Sequence, residues 1–168
     1  FWQPDEQGNI LNNDFYGGNF RGITEKMDYL ASLGVTILYL NPISKSFSSH
    51  RYDTADYKTP DPMLGTKEDF SQLCQAAHSR NIRVILDGVF SHTGSNSLYF
   101  NKTGSFPGVG AYQSPDSAFY SWYSFTQYPD KYKSWWGFDT LPTLNKTDPS
   151  FMDYLITPIR RSKCNVDY

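Results

Sequence analysis

The sequence predicts an α/β fold with a parallel sheet or barrel, on three observations. A helical spacing of apolar residues, a turn residue and a short apolar run follow one another twice, offset by 47 residues from Gly34 to Asn81. Both apolar runs, 35–40 and 82–86, have strand length and no polar alternation, as strands buried on both faces do. Helices alternating with such strands build parallel sheets, because a parallel pair needs a crossover.

Each element has its own signal. Ile23, Met27, Leu30 and Leu33 recur at helical spacing, and Gly34 follows as the residue that turns the chain out of a helix. The strand 35–40 closes at Asn41-Pro42. Thr66 and Asp69 have the spacing of a capping box, and Phe70, Leu73, Cys74 and Ala77 share one face of the helix it starts. Asn81 ends that helix and the strand 82–86 follows. Residues 93–147 then change character: fourteen aromatic residues are interleaved with Ser, Thr, Asn, Gly and Pro, and no period is sustained. So long a structureless loop is improbable in a compact domain, and so aromatic a segment is not disordered. It reads as an irregular subdomain inserted after the second strand. Residues 148–156 read as a helix, with Asp148 as N-cap and Pro149 at its first position. The tail from Pro158 to Tyr168 has little periodicity and is a poor candidate for packed structure.

Bulk composition narrows the function. The 168 residues carry a net charge of −2 and no basic stripe, which argues against nucleic acid. No apolar run approaches the roughly 20 residues of a membrane span. The first residue is Phe and no signal-like segment is present, which leaves secretion open. Cys74 and Cys164 form no metal or redox motif; Cys74 is expected as a buried thiol rather than part of a disulfide scaffold. Aromatic residues make up 17% of the chain. Loop aromatics pack a core or stack on a ligand, and a sugar ring with one apolar face suits them. Trp135 and Trp136 could line such a site, but filling the inserted subdomain is the favoured role.

The most informative stretch is 82–92. Its apolar run ends in Asp87, and His92 follows five residues later. In a parallel α/β fold, active sites lie at that end of the strands. On spacing alone, an Asp capping a loop above a packed His is an equal reading.

Four stretches together resemble glycoside hydrolase family 13, the α-amylase family, and within it the neopullulanase, cyclomaltodextrinase and maltogenic amylase branch. They are Phe15-Tyr-Gly-Gly-Asn-Phe-Arg-Gly-Ile23; Ser49-His-Arg-Tyr-Asp-Thr-Ala-Asp-Tyr57 with Asp61-Pro-Met-Leu-Gly-Thr66; Asp87-Gly-Val-Phe-Ser-His92; and Leu141-Pro-Thr-Leu-Asn145. The resemblance implies a partial (β/α)8 barrel running from helix 1 to the start of helix 3, with domain B inserted after strand 3. Residues 1–92 are then barrel, 93–147 domain B, and 148–168 the start of helix 3 with an atypical tail.

The resemblance also implies roles. The chain is expected to be part of a retaining hydrolase of α-1,4 or α-1,6 glucosidic bonds in maltooligosaccharides, cyclodextrins or pullulan. His92 would hydrogen-bond the glucose beside the scissile bond, Tyr52 would stack on that ring, and Asp87 would hold an Arg of strand 4. Retaining glycosidases cut with two carboxyl groups about 5–5.5 Å apart. The family places them on strands 4 and 5, outside this sequence. Asp53, Asp56, Asp87 and Asp139 are poor substitutes, and the pair Asp56-Tyr57 reads as a loop anchor. The chain alone is therefore expected to be inactive, with no catalytic residue and no cofactor. Calcium belongs to related enzymes, but Gly17-Gly18-Asn19 lacks their carboxylate and Ser91 stands where a second site has Asn. His50 and His78 are expected to be solvated. The expected partner is an α-glucan oligosaccharide, a homodimer of the parent enzyme stays open, and the branch favours a cytoplasmic location. A carbohydrate-binding module and a non-functional reading-frame remnant are the rival readings.

Overall fold

The computed structural model describes residues 4–8, 10 and 15–161. The helix expected over 23–33 is two short ones, α1 (Phe20–Glu25) and α2 (Met27–Ser32), broken at Lys26. Asn19 caps α1: its side chain accepts from Gly22 N at 2.8 Å. Met27 is fully buried, but Leu33 is 62% exposed. It lies past the end of α2 as its C-cap, so the period that predicted it inward has already ended.

The first predicted strand is β1 (Ile37–Leu40) and the second is β4 (Arg83–Leu86), and they pair in parallel, Leu38 opposite Val84 and Leu40 opposite Leu86. The segment between them is more ordered than the sequence suggested. It holds a bulged antiparallel hairpin of β2 (Ser44–Ser46) and β3 (Thr54–Pro60). Its sequence signal is weak, because β2 is Ser-Lys-Ser and the alternation in β3 rests on Ala55 and Tyr57 alone. Next comes α3 (Lys67–His78), opened by the predicted Thr66–Asp69 capping box, both halves of which form. Asn81 takes a φ of +56°, the left-handed turn anticipated for it.

One apolar cluster joins these pieces. Phe20, Met27, Leu40, Leu73, Cys74, Ala77, Ile82 and Val84 are buried together, with Leu38 and Leu86 packed against them. That is the helix-facing side of the sheet. The other side differs from expectation: Ile37 and Tyr39 are exposed. The apolar runs lack alternation, yet only one face of the sheet is covered by described residues. His78, expected to be solvated, is half-buried.

Residues beyond β4 build a second cluster of Tyr99, Phe100, Ala111, Trp122, Tyr123, Leu144 and Phe151. Only short elements thread it: β5 (Phe125–Gln127) pairs with β6 (Lys131–Tyr132), and two 3-10 turns cover Tyr120–Trp122 and Trp135–Gly137. Aromatic rings supply the order that periodicity does not. Trp122 lies within 5.3 Å of four other rings, and its Nε1 donates to Ser150 Oγ at 2.8 Å. Ser150 belongs to α4 (Pro149–Arg161), capped by Asp148 as predicted. The helix runs past its expected end at residue 156 and through Pro158, since a proline removes one helical donor without dictating the end of the helix. The expectations for residues 162–168, including Cys164, lie outside the described residues. No described helix is long and apolar enough to cross a membrane.

Leu73 is fully buried between α3 and the sheet. Leu73→Ala should cost about 2–5 kcal/mol in urea denaturation; a loss below the low end of that range would mean that the first cluster is not a packed core.

Candidate functional site

Strand alternation puts Tyr39 and Asp87 on the open face of the sheet. The ladder continues past β4, with Asp87 N donating to Leu40 O at 3.0 Å. The Asp87 carboxylate accepts from Tyr52 Oη at 2.7 Å and hydrogen-bonds the Tyr39 phenol as well. Those hydrogen bonds, more than burial, hold both phenols above their ordinary pKa. Sequence reasoning named Asp87 and Tyr52 but missed Tyr39. Its signal was available, since Leu40 pairs with Leu86 and the residues next to them, Tyr39 and Asp87, share the opposite face.

Tyr52 is held from behind. Arg51 takes a φ of +65° and its guanidinium forms an ion pair with Asp61, both side chains being nearly buried. Asp61 also accepts from Met63 N at 2.9 Å. This pair fixes the chain on the N-terminal side of Tyr52. On the other side, Asp53 accepts from the backbone N–H groups of Phe47 and Ser48 and from the Ser48 hydroxyl. Asp53 is therefore a loop anchor, as is Asp56, which accepts from Lys58 N at 2.9 Å and Thr59 Oγ1 at 2.7 Å.

His92 is 4% exposed. Its Nε2 lies 3.0 Å from the Tyr52 carbonyl and its Nδ1 lies 2.8 Å from Ser91 Oγ. A carbonyl only accepts, so Nε2 carries the proton, and in the neutral ring Nδ1 accepts from the Ser91 hydroxyl. Neither ring nitrogen is idle. The imidazole is covered by Trp135, with ring centroids 5.1 Å apart. Beneath the loop, Tyr57 Oη donates to Val89 O at 2.5 Å, a support that sequence reasoning did not identify. Gly94 completes the clamp: its N donates to Thr54 O at 3.0 Å, and a Cβ there would stand 2.8 Å from Asp53 O. Backbone bonds also bring the motif 141–145 alongside, with Leu144 N donating to Ser91 O and Thr93 N to Pro142 O.

Tyr52, Asp87 and His92 thus meet in one rim. Among Asp53, Asp56, Asp87 and Asp139 no pair stands poised over it. Asp53 and Asp56 serve their own loops, while Asp139 is exposed beside Lys102 at 3.6 Å. The two residues weighed for calcium each make a hydrogen bond within the chain. The Asn19 side-chain oxygen caps α1, the Ser91 hydroxyl is taken by His92, and no three His, Cys, Asp or Glu cluster among the described residues. Trp136, expected to fill a core, is instead 84% exposed.

Two predictions follow from this geometry. Arg51→Met strands a buried Asp61 carboxylate and should cost about 3–5 kcal/mol, most of it recovered when Asp61→Asn is added; denaturant midpoints of the single and double variants check the pair. Burial lowers the His92 pKa below the usual 6.5, partly opposed by the Tyr52 carbonyl. The unfolded chain then takes up the proton first, so stability is complete above about pH 6.5 and falls as pH drops towards the folded-state value. Melting temperature should fall more steeply from pH 7 to 5.5 in the wild type than in His92→Gln, and parallel curves would contradict this.

Comparison with known proteins gives the site its context. The sequence profile described as "Alpha amylase, catalytic domain" matches residues 2–154. An amylopullulanase of Thermoanaerobacterium saccharolyticum is 46% identical over 154 residues, covering 88% of this chain and 12% of that protein. The intracellular maltogenic amylase of Bacillus subtilis is 36% identical over 147 residues, covering 86% of this chain and 24% of that one. Among solved structures, a cyclic α-maltosyl-(1→6)-maltose hydrolase from Arthrobacter globiformis in complex with maltose superposes with a TM-score of 0.77 at 31% identity, covering 89% of this chain and 34% of the other. The chain therefore spans only a small part of the curated relatives it matches, and its fold is consistent with part of a (β/α)8 barrel. With most of its length inside the profile and with motifs in matching order, the chain belongs to the α-amylase family of glycoside hydrolases.

Proposed function

We propose that this chain is the sugar-holding wall of a retaining α-glucan hydrolase acting on α-1,4 or α-1,6 bonds of maltooligosaccharides, cyclodextrins or pullulan. In this reading residues 1–92 belong to the barrel and 93–147 to domain B. The carrying observation is the convergence of Tyr52, Asp87 and His92 at the carboxyl ends of two parallel strands. There a parallel α/β fold presents its ligand.

The chemistry divides among the three. The Tyr52 ring is 38% exposed and offers an apolar face to a pyranose ring, while its hydroxyl is fixed by Asp87. His92 locks the Tyr52 backbone, and a glucose hydroxyl reaching it shares the Nε2 proton with the Tyr52 carbonyl. Asp87, whose carboxylate is met by two phenols and by no cation among the described residues, suits an Arg. Nucleophilic attack at the anomeric carbon and protonation of the leaving oxygen need two carboxyl groups across the scissile bond. The anchored carboxylates described above are not arranged for that work.

The test has two arms. The purified chain incubated with pullulan, cyclodextrin and maltotriose should release no sugar above a His92→Ala control. Substituted for the matching segment of the Thermoanaerobacterium saccharolyticum amylopullulanase, the same chain should support pullulan hydrolysis, and Tyr52→Ala in that chimera should lower kcat/KM at least tenfold. Sugar release by the isolated chain would overturn the division of labour. A folded chimera indifferent to Tyr52→Ala would overturn the sugar-wall role.

A further inference from the structure

Trp136 is in the wrong place for a structural tryptophan. It is 84% exposed, so its ring fills no core built by the described residues. It also sits at φ +51° and ψ +25°, followed by Gly137 at φ +81°. Phe138 N donates to Trp135 O at 3.0 Å, so Trp136 and Gly137 are the two central residues of a tight turn with both φ values positive. That turn type favours Asn or Gly at its first central position, and a bulky side chain there is a backbone outlier. Turn chemistry does not ask for an indole at 136, and among the described residues its ring packs on Trp135 alone. Strained positions of this kind cluster at ligand sites.

The ring is nonetheless held in place. It stacks on Trp135 with centroids 5.0 Å apart and planes 11° from parallel. Trp135 in turn rests on His92 at 5.1 Å. A column of three rings therefore runs from the Tyr52–His92 rim outward and ends in an open indole face. Among the described residues, no hydrogen-bond acceptor meets Nε1 of Trp135 or Trp136. Each ring thus offers an apolar face and a polar N–H at its edge. Phe138, 55% exposed, lies 6.5 Å from Trp135 and widens the surface.

We propose that the outer face of Trp136 is a stacking site for a glucose ring of an α-glucan, one that continues the chain held at the Tyr52–His92 rim. A pyranose has an apolar face for the indole and a ring of hydroxyls for the idle N–H groups. The site is continuous with the rim through Trp135, so one oligosaccharide can engage both while a monosaccharide engages one. This inference rests on the α-glucan reading above and specifies where a second sugar unit binds.

Trp136→Asn supplies the residue that the turn prefers and deletes the stacking face. The variant should melt at a higher temperature than the wild type and bind maltoheptaose about tenfold or more weakly by isothermal titration calorimetry. Trp136→Phe should recover part of the affinity. Glucose binding should be indifferent to the substitution, because it engages only the rim. Tyr52→Ala serves as the parallel control for the rim itself. Maltoheptaose binding that is lost in Tyr52→Ala but unchanged in Trp136→Asn would overturn the Trp136 site and leave the α-glucan reading standing. A cooperatively melting wild-type chain that binds no maltoheptaose would overturn both. Dimerisation in sedimentation that Trp136→Asn abolishes, without any sugar binding, would assign the face to a second copy of the chain and overturn the proposal.

Discussion

The rim hangs from the parallel pairing of β1 with β4. Leu40 sits opposite Leu86, and the next ladder bond, Asp87 N to Leu40 O, carries the pairing one residue past the strand. Side chains alternate across a strand, so this register sends Leu38, Leu40, Val84 and Leu86 towards the helices and Tyr39 and Asp87 to the other side. A slip of one residue would bury the carboxylate in the apolar cluster and expose the leucines. The hydrophobic effect at the first cluster thus fixes the position of a charged group that it never touches.

What the register places, short-range polar contacts then hold. The loop carrying Tyr52 and the loop carrying His92 are far apart in sequence and are joined by bonds that include Tyr52 Oη to Asp87, His92 Nε2 to Tyr52 O, and Gly94 N to Thr54 O. The Arg51–Asp61 ion pair adds an anchor on the far side of Tyr52. Such a pair costs desolvation, and its benefit is a defined geometry more than net stability. The aromatic cluster beyond β4 supports the same loops from below through Tyr57, which stacks on Tyr99 at 5.5 Å and donates to Val89 O. Two cores, one aliphatic and one aromatic, therefore meet at a single polar rim.

Much of this was legible in the sequence, and the exceptions have physical causes. The two strands, the capping box and the Asp148 cap were readable because each depends on neighbours within a few residues. The hairpin of β2 and β3 was not, because β2 has no apolar residue and β3 has too few to stand out from a loop. The fully buried appearance of residues 35–40 misled about Ile37 and Tyr39, since composition does not record which face a sheet has covered. At the site, Asp87, His92 and Tyr52 were identified through motif resemblance, and Tyr39 could have been found from strand alternation. The Arg51–Asp61 pair and the stacking of Trp136 on Trp135 could not, because a positive φ, an ion pair across ten residues and a ring column are tertiary facts.

The central claim is that Tyr52 and His92 face one bound sugar. The most direct measurement is a side-chain NMR titration of the chain with maltotriose, following the ring resonances of both residues. The account predicts saturable shifts of Tyr52 and His92 with one shared binding constant, while the buried Trp122 indole stays unmoved. Shifts confined to other aromatic residues, with Tyr52 and His92 silent at saturation, would contradict it.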